Sequence, residues 1–379
     1  MKIAFLTTDN REQLADYDNP NPHFGTAPTA LLEGFALLGD QVEVHVVSCA
    51  KKKMISPCKL APNIWFHQPI VPQLGWGRTA FMGCGLAVRK LLKTVHPDLV
   101  HAQGTERDCA MAAELSGYPN VLTLHGNMRV HAARKENRGS LYYRLAAFLE
   151  GYCLKRTSGV VAISRYTEGL IKDLTPRTWL LPNAVDRRFF DITLEPQTIP
   201  RILFVGSINE RKNPLGLLRA CEPMLRAGEC TLTFAGQSNV SSPYVHEFLK
   251  SAAALPGVEL TGFIGRDELG EQFRRSSLLV LPTFEDNCPM VVLEAMAAGL
   301  PVAASRVGGV PDLITDEQDG LMFDPNDPPA VKACIERLVK EPETRARFGA
   351  AGRITAQERF HPEVIAAAHL EIYREVLGR

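Results

Sequence analysis

The sequence lacks the patterns of a membrane-spanning, zinc-binding or disulfide-linked protein. No run reaches the roughly 18 apolar residues of a transmembrane helix, and the longest candidate, 291–304, is interrupted by Glu294. The nine cysteines form no CxxC pair and the ten histidines form neither HxxxH nor HExxH, so we expect no metal site. We also expect the thiols to be buried and unpaired in a reducing cytoplasm.

Charge of one sign is not in excess, since 42 basic side chains balance 42 acidic ones. This balance argues against a nucleic-acid partner. The first residues, MKIAFLTTD, predict a β-strand rather than a signal peptide. GxxxxGK(S/T) and GxSxG are absent, and the GxG at 83–85 is followed by Val88 instead of glycine. A P-loop nucleotidase, a serine hydrolase and a dinucleotide-dependent dehydrogenase are therefore disfavoured.

Short apolar or β-branched runs alternate with helical patterns along the chain. The first half contains the strand patterns KIAFLTT, VEVHVVS, IWFHQP, LVHAQG, VLTLHG and GVVAIS, and the second half contains RILFVGS, CTLTFAGQ, GVELTGF, LLVLPT and PVAAS. Strands that alternate with helices favour parallel sheets built from βαβ units. The sequence therefore predicts an α/β protein with two doubly wound, Rossmann-like domains facing each other across a cleft.

The length of 379 residues suits two domains. The strand pattern restarts at Arg201, after a segment without helical periodicity. We predict an N-terminal domain over 1–190, a linker over 191–200 and a C-terminal domain over 201–360. The last segment, 361–379, has one apolar face and is predicted to pack back on the N-terminal domain.

The segment LPTFEDNCPMVVLEAMAAGLPVAAS, 281–305, carries the strongest functional pattern. Asn287 suits a helix N-cap and Pro289 a first turn, so a helix is expected to about residue 298. Its start, formed by Cys288, Pro289, Met290 and Val291, offers backbone N–H groups and partial positive charge to a diphosphate.

Two acids flank that helix start, Asp286 in the turn and Glu294 eight residues later. Asp286 and Asn287 could serve only as helix caps, and Glu294 could be an ordinary solvated residue. However, Glu294 has apolar neighbours on nearly every side, and a carboxylate there is costly unless it is paired or binds ligand hydroxyls. We therefore favour a binding role.

This segment resembles the donor-site signature of the retaining glycosyltransferases of family four, glycosyl transferases group 1, which have the GT-B fold. The resemblance implies that Glu294 holds the ribose diol of a nucleotide sugar and that Asp286 contacts the transferred sugar. The family usually has glutamate at the earlier position. Glu285 is adjacent, and Asp286 is preferred because it keeps the spacing.

The segment GSINERKNP, 206–214, resembles the family's glycine turn and phosphate-binding lysine. A turn at Gly206 lets the backbone approach phosphate, and the ammonium of Lys212 neutralises it. The family often has arginine where this chain has Ser207, and Arg211 is the candidate replacement. The alternative is that Lys212 is a solvated loop lysine.

Further matches follow in the order of the family. The segment LTGFIGRDEL, 260–269, resembles the one whose backbone receives the base, at Phe263 and Ile264. The segments LPNAVDRRFF, 181–190, and RVGGVPDLI, 306–314, resemble an inter-domain motif of structural role and a glycine loop before a helix.

In the first half, TLHGN places His125 at the end of a strand, where the family has a histidine that reaches the transferred sugar or the phosphates. A single histidine is often only structural, yet this position favours a functional role. Gly25 and Thr26 match the family's glycine loop near the donor phosphates.

The stretch 129–177 contains ten basic residues against four acidic ones. It is either a solvated helical surface or a surface for anionic lipid and a lipid-diphosphate acceptor. The resemblance places the acceptor in this domain, so membrane association at the inner face of a cytoplasmic membrane is an expectation.

The resemblance as a whole implies a metal-independent, retaining hexosyltransferase with no cofactor. It would use a UDP- or GDP-type sugar donor and a glycan or lipid-linked acceptor in cell-surface polysaccharide assembly. Lys212, with Arg211 and the helix start, would stabilise the leaving diphosphate, while Asp286 and His125 would act at the sugar. The alternatives are a GT-B nucleotide-sugar epimerase or hydrolase, and a non-catalytic nucleotide-sugar-binding protein.

Overall fold

The computed structural model describes residues 1–134 and 137–379. The chain forms two compact units, an N-terminal unit of Met1–Ala184 with Pro362–Arg379 and a C-terminal unit of Val185–His361. The segment 191–200 lies within the C-terminal unit, where Glu195 N–H donates to the Arg274 carbonyl and Arg353 donates to the Ile192 carbonyl. The boundaries given above from sequence remain predictions.

In the described part of the N-terminal unit, eight strands form one sheet in the order β3-β4-β2-β1-β5-β6-β7-β8. All pairs are parallel except β3 with β4. The central strands are buried, as expected for parallel strands covered on both faces. The strands are β1 Lys2–Leu6, β2 Glu43–Val47, β3 Lys59–Ala61, β4 Ile64–His67, β5 Leu99–Gln103, β6 Asn120–Leu124, β7 Gly159–Ala162 and β8 Thr178–Leu180.

Helices connect these strands and cover the sheet. Helix α2 begins with Gly25 at its N-cap, and α6 starts after Ser140. The helices are α1 Asn10–Leu14, α2 Thr26–Leu37, α3 Met82–Val95, α4 Asp108–Leu115, α5 Met128–Ala133, α6 Leu141–Leu154 and α7 Arg165–Ile171.

The C-terminal unit contains a six-stranded parallel sheet in the order β11-β10-β9-β12-β13-β14. This order is that of a doubly wound nucleotide-binding sheet, whose ligand crevice opens where the strand order reverses. The reversal here lies between β9 and β12. The strands are β9 Arg201–Val205, β10 Thr231–Ala235, β11 Val258–Gly262, β12 Leu278–Leu281, β13 Val302–Ser305 and β14 Leu321–Phe323.

The helices of this unit are α8 Pro214–Arg226, α9 Pro243–Ala253, α10 Arg266–Arg274, α11 Met290–Ala297, α12 Pro328–Lys340 and α13 Pro342–Arg359. The predicted N-cap of α11 at Asn287 is wrong, because the helix begins at Met290 with Pro289 as its N-cap. Asn287 N–H instead donates to the Asp286 carboxylate at 3.1 Å. Proline lacks an N–H and suits this position at the helix boundary.

The last helix, α14 Pro362–Leu377, belongs to the N-terminal unit and packs against α2. Gly34 allows the close approach, since a Cβ there would lie 2.1 Å from the Pro362 carbonyl oxygen. Phe35 contacts Tyr373, with ring centroids 6.3 Å apart. Both ends of the chain therefore contribute to one core.

A Gly34→Ala substitution is expected to lower the free energy of unfolding by about 1–3 kcal/mol, because its methyl group overpacks the contact between α2 and α14. Thermal and urea unfolding would measure the change. The matched control is Gly151→Ala on α6, where a Cβ meets nothing within 4 Å; it is expected to be neutral or stabilising by about 0.5–1 kcal/mol. Equal effects of the two substitutions would contradict this account of the α2–α14 contact.

Candidate active site

Two loops meet at the point where the strand order of the C-terminal sheet reverses. The loop after β9 contains Gly206 and a short turn, Glu210–Lys212, and the loop after β12 leads to α11. The Asn209 side chain accepts from Lys212 N–H at 3.0 Å and so caps the turn. Asn213 then adopts a left-handed conformation and caps α8.

Backbone hydrogen bonds hold the two loops together. The Arg211 carbonyl accepts from Phe284 N–H at 2.8 Å and from the Thr283 hydroxyl at 3.0 Å. The Arg211 guanidinium donates to the Glu285 carbonyl at 2.8 Å. The loop after β9 and the loop before α11 therefore behave as one platform, which the order of the strands places at a natural ligand crevice.

On this platform, Lys212 and Asp286 form an ion pair between Nζ and Oδ2. Each side chain is 14% exposed, so the pair is largely desolvated. The structure thus brings together the lysine predicted for the phosphates and the acid predicted for the sugar. It places Asp286, the acid chosen over Glu285, against the lysine.

The glycine loop after β13 fixes the backbone of Asp286. Gly309 N–H donates to the Asp286 carbonyl at 3.0 Å, and Gly308 has a φ of +55°. A Cβ on Gly308 would lie 1.8 Å from the Asp286 carbonyl oxygen. The close approach at this glycine is therefore made to Asp286.

Glu294 lies in α11, and its side chain is 3% exposed, so it is not the solvated residue of the alternative interpretation. Arg266, at the start of α10, donates to Glu294 Oε1 at 2.5 Å. Burial raises the pKa of Glu294 above its usual value, and Arg266 opposes that rise. The arginine is what allows a carboxylate to be buried here.

Sequence reasoning missed the role of Arg266. The arginine also lies 3.8 Å from Asp186 Oδ2 and stacks over the Phe189 ring at 4.7 Å. Asp186 in turn accepts from the Arg188 side chain at 2.8 Å. The sequence did indicate that Glu294 needs a partner, because a carboxylate among apolar neighbours is costly unless it is paired. It did not indicate which cation supplies that partner.

The remaining predicted donor residues of the C-terminal unit follow strands β9, β11 and β12. Phe263, 73% exposed, and Ile264 follow β11, at the end where the base was expected. Ser207 is exposed directly after Gly206, and Cys288 is buried just before α11. Val291 is buried in the first turn of α11.

In the N-terminal unit, His125 follows β6 and is half-buried. Its Nε2 lies 2.8 Å from Gln103 Oε1. Burial, aided by His369, lowers the pKa of His125 to about 4, so the ring is neutral at physiological pH. Thr26 is exposed in the first turn of α2, immediately after Gly25.

Among the described residues, one group offers three potential metal ligands within 4.8 Å of one another, namely Cys49, Cys84 and Asp108. The Cys84 thiol lies 3.7 Å from the Gly75 carbonyl oxygen, and interaction with Cys84 together with burial raises the pKa of Cys49. The raised pKa favours the neutral form of the Cys49 thiol. The expectation that the thiols are buried is wrong for Cys58, which is exposed.

Comparison with known families covers most of the chain. The family model for glycosyl transferases group 1 matches 185–355, and the model for glycosyltransferase family 4 matches 29–189. The chain belongs to glycosyltransferase family four. The resemblance seen in the sequence is thereby confirmed.

Individual relatives agree with this assignment. D-inositol 3-phosphate glycosyltransferase of Streptomyces scabiei (strain 87.22) is 33% identical over 187 residues, which are 47% of this chain and 42% of that one. The matches span between 30 and 42% of the lengths of the first four curated relatives.

Solved structures show the same fold. Sucrose-phosphate synthase from Thermosynechococcus elongatus superposes with a TM-score of 0.77 at 19% identity, over 100% of this chain and 99% of that chain. HepE of Anabaena, in complex with UDP-glucose, has a TM-score of 0.69 at 18% identity, over 99% and 100%. The predicted α/β class with two Rossmann-like, GT-B domains is confirmed.

An Arg266→Ala substitution is expected to lower the free energy of unfolding by up to about 3 kcal/mol at pH 7, because it leaves the Glu294 carboxylate buried without its cation. The raised pKa of Glu294 favours the protonated form in the folded state. The deficit should therefore shrink as the pH falls and Glu294 becomes protonated.

Urea unfolding at pH 7 and pH 5 would measure this effect. The control is the double variant Arg266→Ala/Glu294→Gln, which removes both charges and should recover most of the loss. A deficit that is the same at both pH values and is not recovered would show that Arg266 acts through packing rather than through Glu294.

Proposed function

We propose that this protein transfers a hexosyl group from a nucleoside diphosphate sugar to a hydroxyl group, with retention of anomeric configuration. The observation that carries the proposal is the Lys212–Asp286 pair at the reversal between β9 and β12. A cation for a diphosphate and an acid for a sugar hydroxyl lie side by side there. Membership of glycosyltransferase family four supports the same reaction class.

The main chemical task in this reaction is to stabilise the departing diphosphate. Lys212 supplies a positive charge that the ion pair with Asp286 already holds in place. Arg211, anchored on the Glu285 carbonyl, and the first turn of α11 supply further hydrogen-bond donors. These groups make a metal-independent mechanism chemically sufficient, and no cofactor is proposed.

The two acids have different proposed roles. Asp286 would hold the hydroxyls of the transferred sugar close to Lys212, so that one side chain links the sugar to the phosphates. Glu294, kept buried by Arg266, would accept the ribose hydroxyls of the donor. His125, neutral because its pKa is about 4, would orient a sugar hydroxyl as an uncharged hydrogen-bonding group.

UDP is the proposed nucleotide, with GDP as the alternative, because the structural neighbour HepE was solved with UDP-glucose. The acceptor is proposed to be a glycan or a lipid-linked glycan in cell-surface polysaccharide assembly. An epimerase or hydrolase would form product from the donor alone, and a non-catalytic binder would form none. Assays of UDP release with and without a glycan acceptor, together with chromatography of the UDP-sugar for conversion to an epimer, separate these outcomes.

A Lys212→Ala substitution is expected to weaken UDP binding about 10–100-fold, which is the loss of one charge-assisted hydrogen bond to phosphate. Isothermal titration calorimetry with UDP would measure it, beside turnover of UDP-glucose. The control is Lys250→Ala on α9, an exposed lysine away from the two loops, which should leave both quantities unchanged. Equal UDP affinity in the Lys212 variant and the parent would remove Lys212 from the donor site.

The acceptor side is proposed to include an anionic membrane surface at the cytoplasmic inner face. Helix α6 exposes Leu141, Leu145 and Phe148, which share one face at i, i+4 and i+7, and Tyr142 beside them. The exposed side chains of Arg138 and Arg144 flank this apolar stripe. Apolar residues with adjacent cations suit the interface of an anionic bilayer.

The basic stretch 129–177 is not one uniform surface. Arg156 pairs with Glu114 at 2.9 Å, and Arg177 pairs with Glu375 at 2.8 Å. Lys135 and Glu136, counted in the stretch, lie outside the described residues. No described helix is long and apolar enough to cross a bilayer, so the proposal is interfacial binding through α6.

A Phe148→Ser substitution is expected to reduce binding to vesicles of phosphatidylcholine with 30% phosphatidylglycerol, a composition chosen at roughly the anionic content that attracts polybasic surfaces. The expected drop is about tenfold, since one large apolar side chain no longer enters the interface. Vesicle sedimentation would measure it. The control is Ile354→Ser on α13, equally exposed but outside α6. Unchanged binding of the Phe148 variant, or no binding by the parent protein, would contradict the membrane proposal.

A further inference from the structure

A line of buried polar side chains runs from His125 into the core of the N-terminal unit. His125 Nε2 lies 2.8 Å from Gln103 Oε1, and Gln103 Nε2 lies 2.9 Å from His101 Nε2. His101 Nδ1 then lies 2.6 Å from the hydroxyl of Tyr373 on α14. The line thus connects the end of β6, through β5, to the helix that closes this unit.

The three members of this line beyond His125 are deeply buried. His101 and Tyr373 are 0% exposed and Gln103 is 8% exposed. The Thr123 hydroxyl lies 2.7 Å from His101 Nε2. Buried polar groups carry a large penalty unless their hydrogen bonds are satisfied, so each contact in such a line constrains the next.

With the Gln103 amide oriented as in this structure, donor and acceptor chemistry assigns the protons along the line. An amide oxygen only accepts, so His125 must donate from Nε2 to Gln103. An amide nitrogen only donates, so His101 accepts at Nε2 and carries its hydrogen on Nδ1, from which it donates to Tyr373. Reversing the Gln103 amide would reverse the tautomers of both His125 and His101. The Gln103 side chain therefore couples the protonation of these two rings.

We infer that Gln103, His101 and Tyr373 are positioning residues that hold His125 as a neutral ring protonated on Nε2. This inference rests on the proposed function, in which His125 orients a hydroxyl of the transferred sugar. With Nε2 committed to Gln103, Nδ1 is the ring atom that accepts a hydrogen bond. The line fixes which atom of His125 accepts, in the way that the hydrogen bond on one ring nitrogen sets the role of the other.

The titratable groups around the line are few. His369 on α14 lies near His101 with ring centroids 5.2 Å apart and the rings tilted by 32°, and its Nδ1 bonds the Ile365 carbonyl at 2.9 Å. On the other side, the Glu106 carboxylate accepts from Gly126 N–H at 2.8 Å, next to His125. A change in the charge state of His369 or Glu106 would therefore act on the ring of His125.

The test is histidine-selective ¹⁵N NMR of the full chain, which reads the tautomer and the pKa of each ring. Tyr373→Phe keeps the shape of the core and removes the oxygen that accepts from His101. His125 should then populate both tautomers, and kcat should fall by about tenfold with UDP affinity unchanged. The control is Tyr118→Phe, whose hydroxyl bonds the Leu92 carbonyl in the same unit and whose loss should leave His125 unaltered.

A second variant tests the line by adding a negative charge to it instead of removing a hydroxyl group. In Gln103→Glu, a carboxylate would accept from His125 Nε2 and favour the protonated ring, so the pKa of His125 should rise above about 4. Activity requires the neutral ring, so the acid limb of the kcat profile should move to higher pH. Tryptophan fluorescence confirms that this variant is folded, because the three tryptophans all lie in the N-terminal unit.

The inference is overturned if the His125 resonances of Tyr373→Phe and Gln103→Glu match those of the parent protein. The proposed function fails in a different way. If both variants alter the His125 tautomer or pKa while His125→Ala retains full turnover, the line holds its ring but His125 has no role in catalysis. NMR tests whether the line holds the His125 ring, and this measurement does not depend on enzymatic activity.

Discussion

The constraint on which the candidate site depends is the reversal of strand order between β9 and β12. Two neighbouring strands lead to helices in opposite directions there, which opens a crevice between the loops that follow the strands. Lys212 and Asp286 occupy those loops and pair with each other. The glycine loop after β13 has room for neither a side chain nor a shift of the Asp286 backbone. The position of the Lys212–Asp286 ion pair thus follows from the order of the strands in the sheet.

The two acids of the site differ in their burial and in the cation with which each pairs. Asp286 is 14% exposed and pairs with a flexible lysine, which can exchange one anionic partner for another. Glu294 is almost fully buried and pairs with Arg266, which Asp186 and the Phe189 ring hold in place. A replaceable partner suits a group that meets the reacting part of a substrate. A fixed partner suits a group that recognises a constant part, such as a ribose.

Sequence pattern predicted the fold, and it singled out Lys212 and Asp286, which form an ion pair in the structure. The motif around Asp286 and Glu294 and the lysine at 212 could be identified because their spacing along the chain is itself the signal. The partner Arg266 could not be identified from the sequence. Its contact with Glu294 depends on how α10 and α11 pack, and no spacing pattern along the chain predicts that packing. The N-cap of α11 was misplaced because the helix begins three residues after Asn287, with Pro289 as its N-cap. His125 could be located from its strand, whereas Gln103 and Tyr373 are distant in sequence and ordinary in type.

The return of α14 to the N-terminal unit has a consequence for biosynthesis. Residues 185–361 must be made after most of the N-terminal unit and before its last helix. At roughly 5–20 residues per second, that interval lasts about 9–35 s on the ribosome. During it the face of α2 around Gly34 is uncovered, and His101 lacks the Tyr373 hydroxyl. The nascent N-terminal unit is therefore an incomplete core with an exposed apolar groove until α14 has been synthesised.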